Sequence, residues 1–453
     1  MAFPNSEQRH KGITSKLDEF NDFERKQDHK KAFLGLPSEK LKTIITSEVD
    51  VSDSTISGAT SGIYIIAAKR TAFGTFGGAL KTINQAQLQT TAAKAAIVSS
   101  GLKPDQIDTV VVGHVMPSTS SDGAFLPRHV GLQCGVPIEK PALAVNRLCG
   151  SGFQAIVNGA QDILLGSAKV ALTGGVENMS QAPFMARNVR FGTTLGANYS
   201  LEDSLWIGLT DSYCKLPMAL TAENLAEQNK ISRERVDEFS LRSQKFWEKG
   251  QQEGAFNAEI TPLKIKVKGK EVDFVVDEHP RPKTTLDGLA KLPPLFKKNG
   301  IVTAGTASGI CDGASAVILA SEAAVNEYKL KPLARLVAYA YVGCKPEIMG
   351  IGPVPAIQNV LKVSGKKLED IDLIEINEAF AAQTLACADA LGLDMNKLNV
   401  NGGAIALGHP LGASGSRIIG HLVHEMQRKK LKYSIGSACI GGGQGIALLV
   451  EAC

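Results

Sequence analysis

Gly101-Leu102-Lys103-Pro104-Asp105-Gln106-Ile107-Asp108 is echoed far down the chain by Gly365-Lys366-Lys367-Leu368-Glu369-Asp370-Ile371-Asp372. Each phrase leads into an apolar run of the kind that forms a buried strand. In the first case this is Thr109-Val110-Val111-Val112-Gly113, in the second Leu373-Ile374-Glu375-Ile376. Two further echoes keep the same order. Gly150-Ser151-Gly152 opens one apolar helix and Ala413-Ser414-Gly415 opens another. Val170-Ala171-Leu172-Thr173-Gly174-Gly175 stands where Tyr433-Ser434-Ile435-Gly436-Ser437-Ala438 stands later. A duplicated α/β unit, about 62–180 and 330–453, accounts for all three echoes; the alternative is coincidence among common α/β patterns.

Upstream of the first echo lie Ile63-Tyr64-Ile65-Ile66-Ala67-Ala68, a short β-rich run, and a helical stretch near 85–99. Strands alternating with helices predict a mainly parallel sheet covered by helices on both faces. Two regions fall outside the repeat. Residues 1–61 are rich in Lys, Glu, Asp and Ser and end in a small polar run, 52–61. They are expected to form a disordered extension, with order beginning at Ile63. Their acidic residues, Glu7, Asp18, Glu19, Asp22, Glu24 and Asp28, argue against a transit peptide. The second region, 181–300, separates the halves, and 301–329 returns to the first. Within it Lys264-Ile265-Lys266-Val267-Lys268 alternates strictly. Such a strand is either a solvated edge or an attraction for a phosphate-bearing ligand.

Hydrophobic residues make up 44% of the 453 and charged residues 21%, which excludes wholesale disorder and a fibrous chain. A net charge of +4 is too small to argue for nucleic acid and suits an anionic small ligand. No apolar run approaches ~18 residues, so no transmembrane helix is expected. The first ten residues lack the apolar segment of a secretory signal. The eight cysteines (Cys134, Cys149, Cys214, Cys311, Cys344, Cys387, Cys439, Cys453) form no Cys-x-x-Cys pair. That argues against a zinc ribbon and for a reduced intracellular compartment.

Four stretches carry candidate chemistry. In Asn146-Arg147-Leu148-Cys149-Gly150-Ser151-Gly152 the strand Ala142–Val145 turns into a glycine-opened helix. Cys149 is thereby placed near a helix N-terminus, where N–H groups and the dipole lower a thiol pKa. Asn401-Gly402-Gly403-Ala404-Ile405-Ala406-Leu407-Gly408-His409-Pro410-Leu411-Gly412-Ala413-Ser414-Gly415 sets His409 in a glycine-dense loop, where a neutral imidazole can take the thiol proton. No partner ligands stand at metal spacing. Ser437-Ala438-Cys439-Ile440-Gly441-Gly442-Gly443-Gln444-Gly445 offers a second cysteine and backbone N–H groups for an oxyanion hole. A phosphate-cradling loop is the rival, though no Lys-Ser/Thr follows. Asn377-Glu378-Ala379-Phe380 follows the strand Leu373–Ile376, at the sheet end where α/β proteins bind ligands.

Together these four motifs resemble the thiolase family in order and spacing, over about 62–453. Within it, 190–193, 201–206, 216–224 and 348–355 resemble the degradative mitochondrial 3-ketoacyl-CoA thiolases of fatty-acid β-oxidation. Biosynthetic members typically have His-Met-Gly where this chain has Pro217-Met218-Ala219. The resemblance implies a thiolase fold: two duplicated five-stranded sheet domains, layered α/β/α/β/α, plus a CoA-holding loop domain, in a homotetramer. It implies a nucleophile at Cys149, an acid/base at Cys439, an activating His409 and a water-positioning Asn377. For CoA, a substrate rather than a prosthetic group, it implies Arg281, Thr284 and Ser308. The family usually reads TAGNASG where this chain has Thr303-Ala304-Gly305-Thr306-Ala307-Ser308-Gly309, a departure at Thr306 in the CoA-facing loop with Ser308 retained. The implied activity is thiolytic cleavage of 3-ketoacyl-CoA; the alternative is acetoacetyl-CoA thiolase activity in ketone-body or isoprenoid synthesis. The C-terminus Glu451-Ala452-Cys453 is no peroxisomal address, and a mitochondrial location rests on the resemblance.

Overall fold

The structure, a computed structural model, describes residues 56–267 and 269–453. β1 (Ile56–Ala59) and β2 (Ile63–Thr71) are followed by α1 (Gln85–Ser100), β3 (Thr109–His114), α2 (Leu126–Gln133), β4 (Ala142–Val145), α3 (Ser151–Leu164) and β5 (Val170–Asn178). The chain then makes a long excursion over 179–310, where α4 (Met218–Gln228) and α5 (Arg233–Gln252) lie and only Ile260–Thr261 touches the sheet, pairing parallel with β2, and it returns as β6 (Cys311–Ser321). The second half runs β7 (Ala334–Gly343), α6 (Pro353–Ser364), β8 (Leu373–Ile376), α7 (Ala381–Leu391), α8 (Leu411–Lys429), β9 (Tyr433–Ile440) and β10 (Gln444–Ala452).

The two halves repeat one topology. The first sheet has the order β4-β3-β5-β6-β2, with β3 parallel to β4 and β5, and β6 antiparallel to β5 and β2. The second has β8-β9-β10-β7, with β8 parallel to β9, and β10 antiparallel to β9 and β7. Its fifth position, the counterpart of β4, shrinks to a single parallel bridge between Ile374 and Leu398. The sheets meet where Ile65 and Tyr64 pair with Ala334 and Arg335.

The echoed phrases explain themselves physically. Gly101 (φ 77°) and Gly365 (φ 67°) close α1 and α6 in the left-handed conformation that only glycine adopts freely. The closing aspartates then pin the parallel neighbour. Asp108 accepts the backbone N–H groups of Lys169 and Val170 at 2.8 and 3.1 Å, and Asp372 those of Lys432 and Tyr433 at 2.8 and 3.0 Å.

Helices form three layers around the two sheets. α1 packs on β2, β5 and β6, α6 packs on β7, β9 and β10, and α3 and α8 lie together between the sheets. The middle helices are buried over most of their length, and α8 keeps its buried Arg417 and His421 paired with Glu375 and Glu259. They cross at contact distance. A Cβ on Gly152 would stand 2.5 Å from the Ser416 nitrogen, and one on Gly415 would stand 2.3 Å from that of Phe153. Three apolar clusters fill the spaces: Leu88, Ile107 and Ile318 on one outer side, Phe153, Ile418 and Leu448 in the middle, and Ile357, Ile376 and Leu385 on the other.

One boundary needs correction. The extension expected over 1–61 is not without structure at its end, because β1 pairs antiparallel with β7 from Ile56–Tyr341 to Ala59–Ala338. The small residues that suggested a linker are what this edge requires, since a Cβ on Gly58 would press within 3.2 Å of the Tyr339 ring. Residues 1–55 lie outside the described residues. The Lys264 strand is a solvated edge: Leu263–Val267 pairs with Lys270–Phe274, Leu263 and Ile265 are buried, and Lys264 bridges to Asp273 at 2.8 Å. Among the described residues no helix is long and apolar enough to cross a membrane.

Candidate functional site

Between β4 and α3 the chain reverses within a few residues, and Leu148 takes φ +46° to do it. A left-handed non-glycine residue costs on the order of 1–3 kcal/mol and persists only when its surroundings fix it. Here they do. Asn146 Oδ1 accepts the Leu148 N–H at 3.0 Å. Ser151 Oγ accepts the Arg147 N–H at 2.9 Å and donates to the Leu148 carbonyl at 2.7 Å. Arg147 braces the turn from behind, bonding Gln154 and Gln444 and lying 4.2 Å over the Tyr341 ring. This elbow presents Cys149 to a cavity of about 350 Å³. Its wall is mainly apolar, with Met179, Leu205, Met218, Phe296 and Phe380, and it carries Ser308 and His409.

The thiol does not behave as its position before a helix suggested. Burial pushes the Cys149 pKa up to about 11, against the lowering effect of the Gly441 N–H and its own N–H. Cys149 packs against a cluster of Met116, Met179, Leu205 and Leu411, and desolvation outweighs the helix end. At neutral pH the thiol therefore keeps its proton unless a base removes it. The same two N–H groups converge where an oxyanion next to the sulfur would form.

His409 lines the same cavity as Cys149. The cramped loop before it needs glycine: Gly408 has φ +92°, and a Cβ there would meet the Cys311 sulfur at 2.0 Å. The His409 N–H is tied to the Gly309 carbonyl at 2.8 Å. Burial first, and the Arg417 charge second, hold the imidazole pKa down to about 3, so the ring is neutral. Its Nε2 lies 3.3 Å from Asn377 Nδ2 and its Nδ1 lies 2.5 Å from Ser414 Oγ. Asn377 stands just past β8, anchored by its N–H to the Ser437 carbonyl at 2.9 Å, and its buried Oδ1 has no protein partner.

Cys439, near the end of β9, packs with Met218, Met349, Ala379 and Phe380, all of which line the cavity. Burial drives its thiol well up, and the neighbouring Cys149 adds to that, so the two sulfurs are neighbours. Cys149, His409, Asn377 and Cys439 thus come together, delivered by corresponding ends of the two sheets. Among the described residues no group of three or more His, Cys, Asp or Glu side chains is arranged to hold a metal ion.

Arg281 and Thr284 lie elsewhere. They line a second, polar cavity of about 410 Å³ with Gln244, His279, Lys283 and Thr285. The segment 303–310 separates the two spaces, with Ala304 and Gly305 facing the polar one and 307–310 the apolar one. Thr306 is built into this wall. It is buried, accepting the Thr303 N–H at 2.8 Å and donating to the Ile301 carbonyl at 3.0 Å.

Two buried carboxylates escaped the sequence. Glu177 accepts the N–H groups of Val115, Met116 and Gly412 at 3.2, 3.1 and 3.0 Å, tying the His409 loop to the first sheet. Burial raises its pKa to about 7. Glu378 accepts from Ser243, Asn399 and Ile405 at 2.6, 2.8 and 3.1 Å, joining α5 to the same loop. The available signal was an acid ending an otherwise apolar strand, in Gly175-Val176-Glu177-Asn178, and an acid beside Asn377.

The family model for the thiolase N-terminal domain matches residues 63–323, and that for the thiolase C-terminal domain matches 330–452. The chain is 57% identical over 390 residues to the mitochondrial 3-ketoacyl-CoA thiolase of Homo sapiens, covering 86% of this chain and 98% of that one. It is 46% identical over 390 residues to an acetyl-CoA acetyltransferase of Chromobacterium violaceum, covering 86% and 99%. The crystal structure of human mitochondrial 3-ketoacyl-CoA thiolase in complex with CoA matches with a TM-score of 0.84 and 57% identity, over 86% of this chain and 98% of that one.

Proposed function

The chain belongs to the thiolase family, and from that premise we propose that it is an acyltransferase cleaving 3-ketoacyl-CoA with CoA, in fatty-acid β-oxidation. The observation that carries the chemistry is the meeting of two cysteines, a neutral histidine and an asparagine at one apolar cavity, with two N–H groups aimed at the Cys149 sulfur.

In the proposed cycle His409 takes the Cys149 proton, and the thiolate attacks the C3 ketone. The N–H groups of Cys149 and Gly441 hold the tetrahedral oxyanion. Collapse breaks the C2–C3 bond. The acetyl-CoA enolate is stabilised by the now protonated His409 and by a water on Asn377, and Cys439 gives it a proton. CoA replaces acetyl-CoA, its thiol proton passes to Cys439, and its sulfur attacks the acyl–Cys149 thioester. Cys149 leaves as thiolate and recovers its proton from His409, so the balance closes. The high pKa of both thiols and the low pKa of the imidazole fit a site that rests uncharged and ionises only during reaction.

CoA is proposed to lie with its anionic nucleotide toward Arg281, Lys283 and Thr284 and its thiol end past Ser308, which makes 181–300 the CoA-binding loop domain. A homotetramer is supported by apolar side chains left in solvent. Phe191, Leu195, Tyr199 and Leu201 are exposed around the hairpin of Phe184–Ala186 and Leu201–Asp203, and the open edge of β4 exposes Leu143. A mitochondrial location is proposed from the relatives' names alone. The decisive assay is thiolysis of 3-ketoacyl-CoAs from acetoacetyl-CoA to long chains. Activity on acetoacetyl-CoA alone would reject the proposed subtype in favour of acetoacetyl-CoA thiolase.

A further inference from the structure

Ser414 lies one helical turn into α8, fully buried, with its hydroxyl between two groups. Its Oγ is 2.9 Å from the Pro410 carbonyl and 2.5 Å from His409 Nδ1. A hydroxyl has one proton. If that proton goes to the carbonyl, Oγ is left as an acceptor, and only a protonated Nδ1 can face it. On the other side of the ring the Asn377 amide nitrogen, a donor, stands 3.3 Å from Nε2. Both neighbours therefore favour the tautomer with hydrogen on Nδ1 and a lone pair on Nε2.

We propose that Ser414 is the positioning residue that holds His409 in the Nδ1–H tautomer, so that Nε2 is the base toward Cys149. The proposal rests on the assignment of Cys149 and His409 as nucleophile and base. The other tautomer would carry its hydrogen on Nε2, which then could accept no proton. Once Nε2 has taken the thiol proton, the same hydroxyl still accepts from Nδ1 and supports the cation in a site that otherwise holds the imidazole neutral. The backbone does not need the hydroxyl. The Pro410 carbonyl also accepts the N–H groups of Ala413 and Ser414, each at 3.0 Å. Ser414→Ala thus removes two contacts; the Pro410 carbonyl keeps its two N–H donors, and the contact left unreplaced is the one to His409.

The test is the rate of Cys149 alkylation by iodoacetamide together with steady-state thiolysis, in the full chain and in Ser414→Ala, Ser414→Thr and His409→Asn. Ser414→Ala is expected to slow alkylation and to lower kcat by roughly 10- to 100-fold, the usual range for a residue that orients a working histidine. KM for CoA should stay within about twofold and the melting temperature unchanged. Ser414→Thr, which keeps the hydroxyl, should restore most of both rates. Alkylation and kcat within about twofold of the parent in Ser414→Ala would overturn the proposal, as would equal losses in the Ala and Thr variants. If His409→Asn leaves alkylation unchanged, the assignment of His409 as the base fails instead, so the two failures are told apart.

Discussion

Glu177 reaches from the end of β5 to the Gly412 N–H, 3.0 Å away, and so fastens the loop that carries His409 to the sheet opposite the one it grows from. Cys149 belongs to the first half of the chain and His409 to the second. Their register depends on contacts of this kind, together with the glycine crossing of α3 and α8. Duplication has supplied two equivalent sheet ends, and the chemistry arises where their loops meet.

Cys149→Ala is expected to abolish thiolysis and acyl-enzyme formation together. No other cysteine combines a strained elbow, two N–H groups at the sulfur and access to the apolar cavity. Mass spectrometry after incubation with acyl-CoA should find the adduct on the Cys149 peptide in the parent chain. An adduct on another cysteine would refute the assignment.

Cys439→Ala should lose turnover while Cys149 stays open to alkylation, because proton transfer and nucleophilic attack sit on different sulfurs. General acid–base help is worth on the order of 10²–10⁴-fold. A loss of less than about tenfold in kcat would remove Cys439 from that role.

The pH dependence of Cys149 alkylation should rise toward high pH, with its midpoint shifted up toward about 11. The sign follows from burial: the buried thiol keeps its proton longer than a free one, so the reactive thiolate accumulates only as pH increases. His409, held down to about 3, stays neutral across the ordinary imidazole range and adds no inflection there. A step between roughly pH 6 and 7 in the parent that vanishes in His409→Asn would contradict a neutral resting imidazole.

The sequence displayed what glycine and repetition can display. The duplication was visible because Gly101 and Gly365 end helices in the left-handed region and Asp108 and Asp372 pin the strands beside them. The elbow and the His409 loop were visible because close backbone approach demands glycine. Invisible were effects assembled from distant segments. The upward shift of Cys149 comes from burial, and the Met116, Met179, Leu205 and Leu411 cluster it packs against is joined by no local pattern. The edge strand β1 hid in small polar residues whose fit to Tyr339 is a tertiary matter. That Arg281 and Thr284 line a different cavity from Ser308 depends on the wall at 303–310. Glu177 hid as one acid in a run otherwise read as buried strand.

Glu177 also makes the fold sensitive to pH. Burial raises its carboxyl to about 7 from an ordinary value of 4.5, while nearby His114 is lowered by burial to about 4 and stays neutral. Between about 4.5 and about 7 the folded chain holds a proton on Glu177 that the unfolded chain has lost. Stability contributed by that proton is fully present below the lower value and falls as pH rises to the upper one. Across the window the loss amounts to about 3 kcal/mol, at 1.36 kcal/mol per unit. Glu177→Gln keeps the shape and removes the titration, so its unfolding free energy should lack this slope. Urea unfolding of both chains at the two ends of the window measures the difference directly. The parent should lose stability relative to Glu177→Gln on going from the acidic end to the neutral end, and parallel pH profiles would show that Glu177 titrates at its ordinary value in the folded chain.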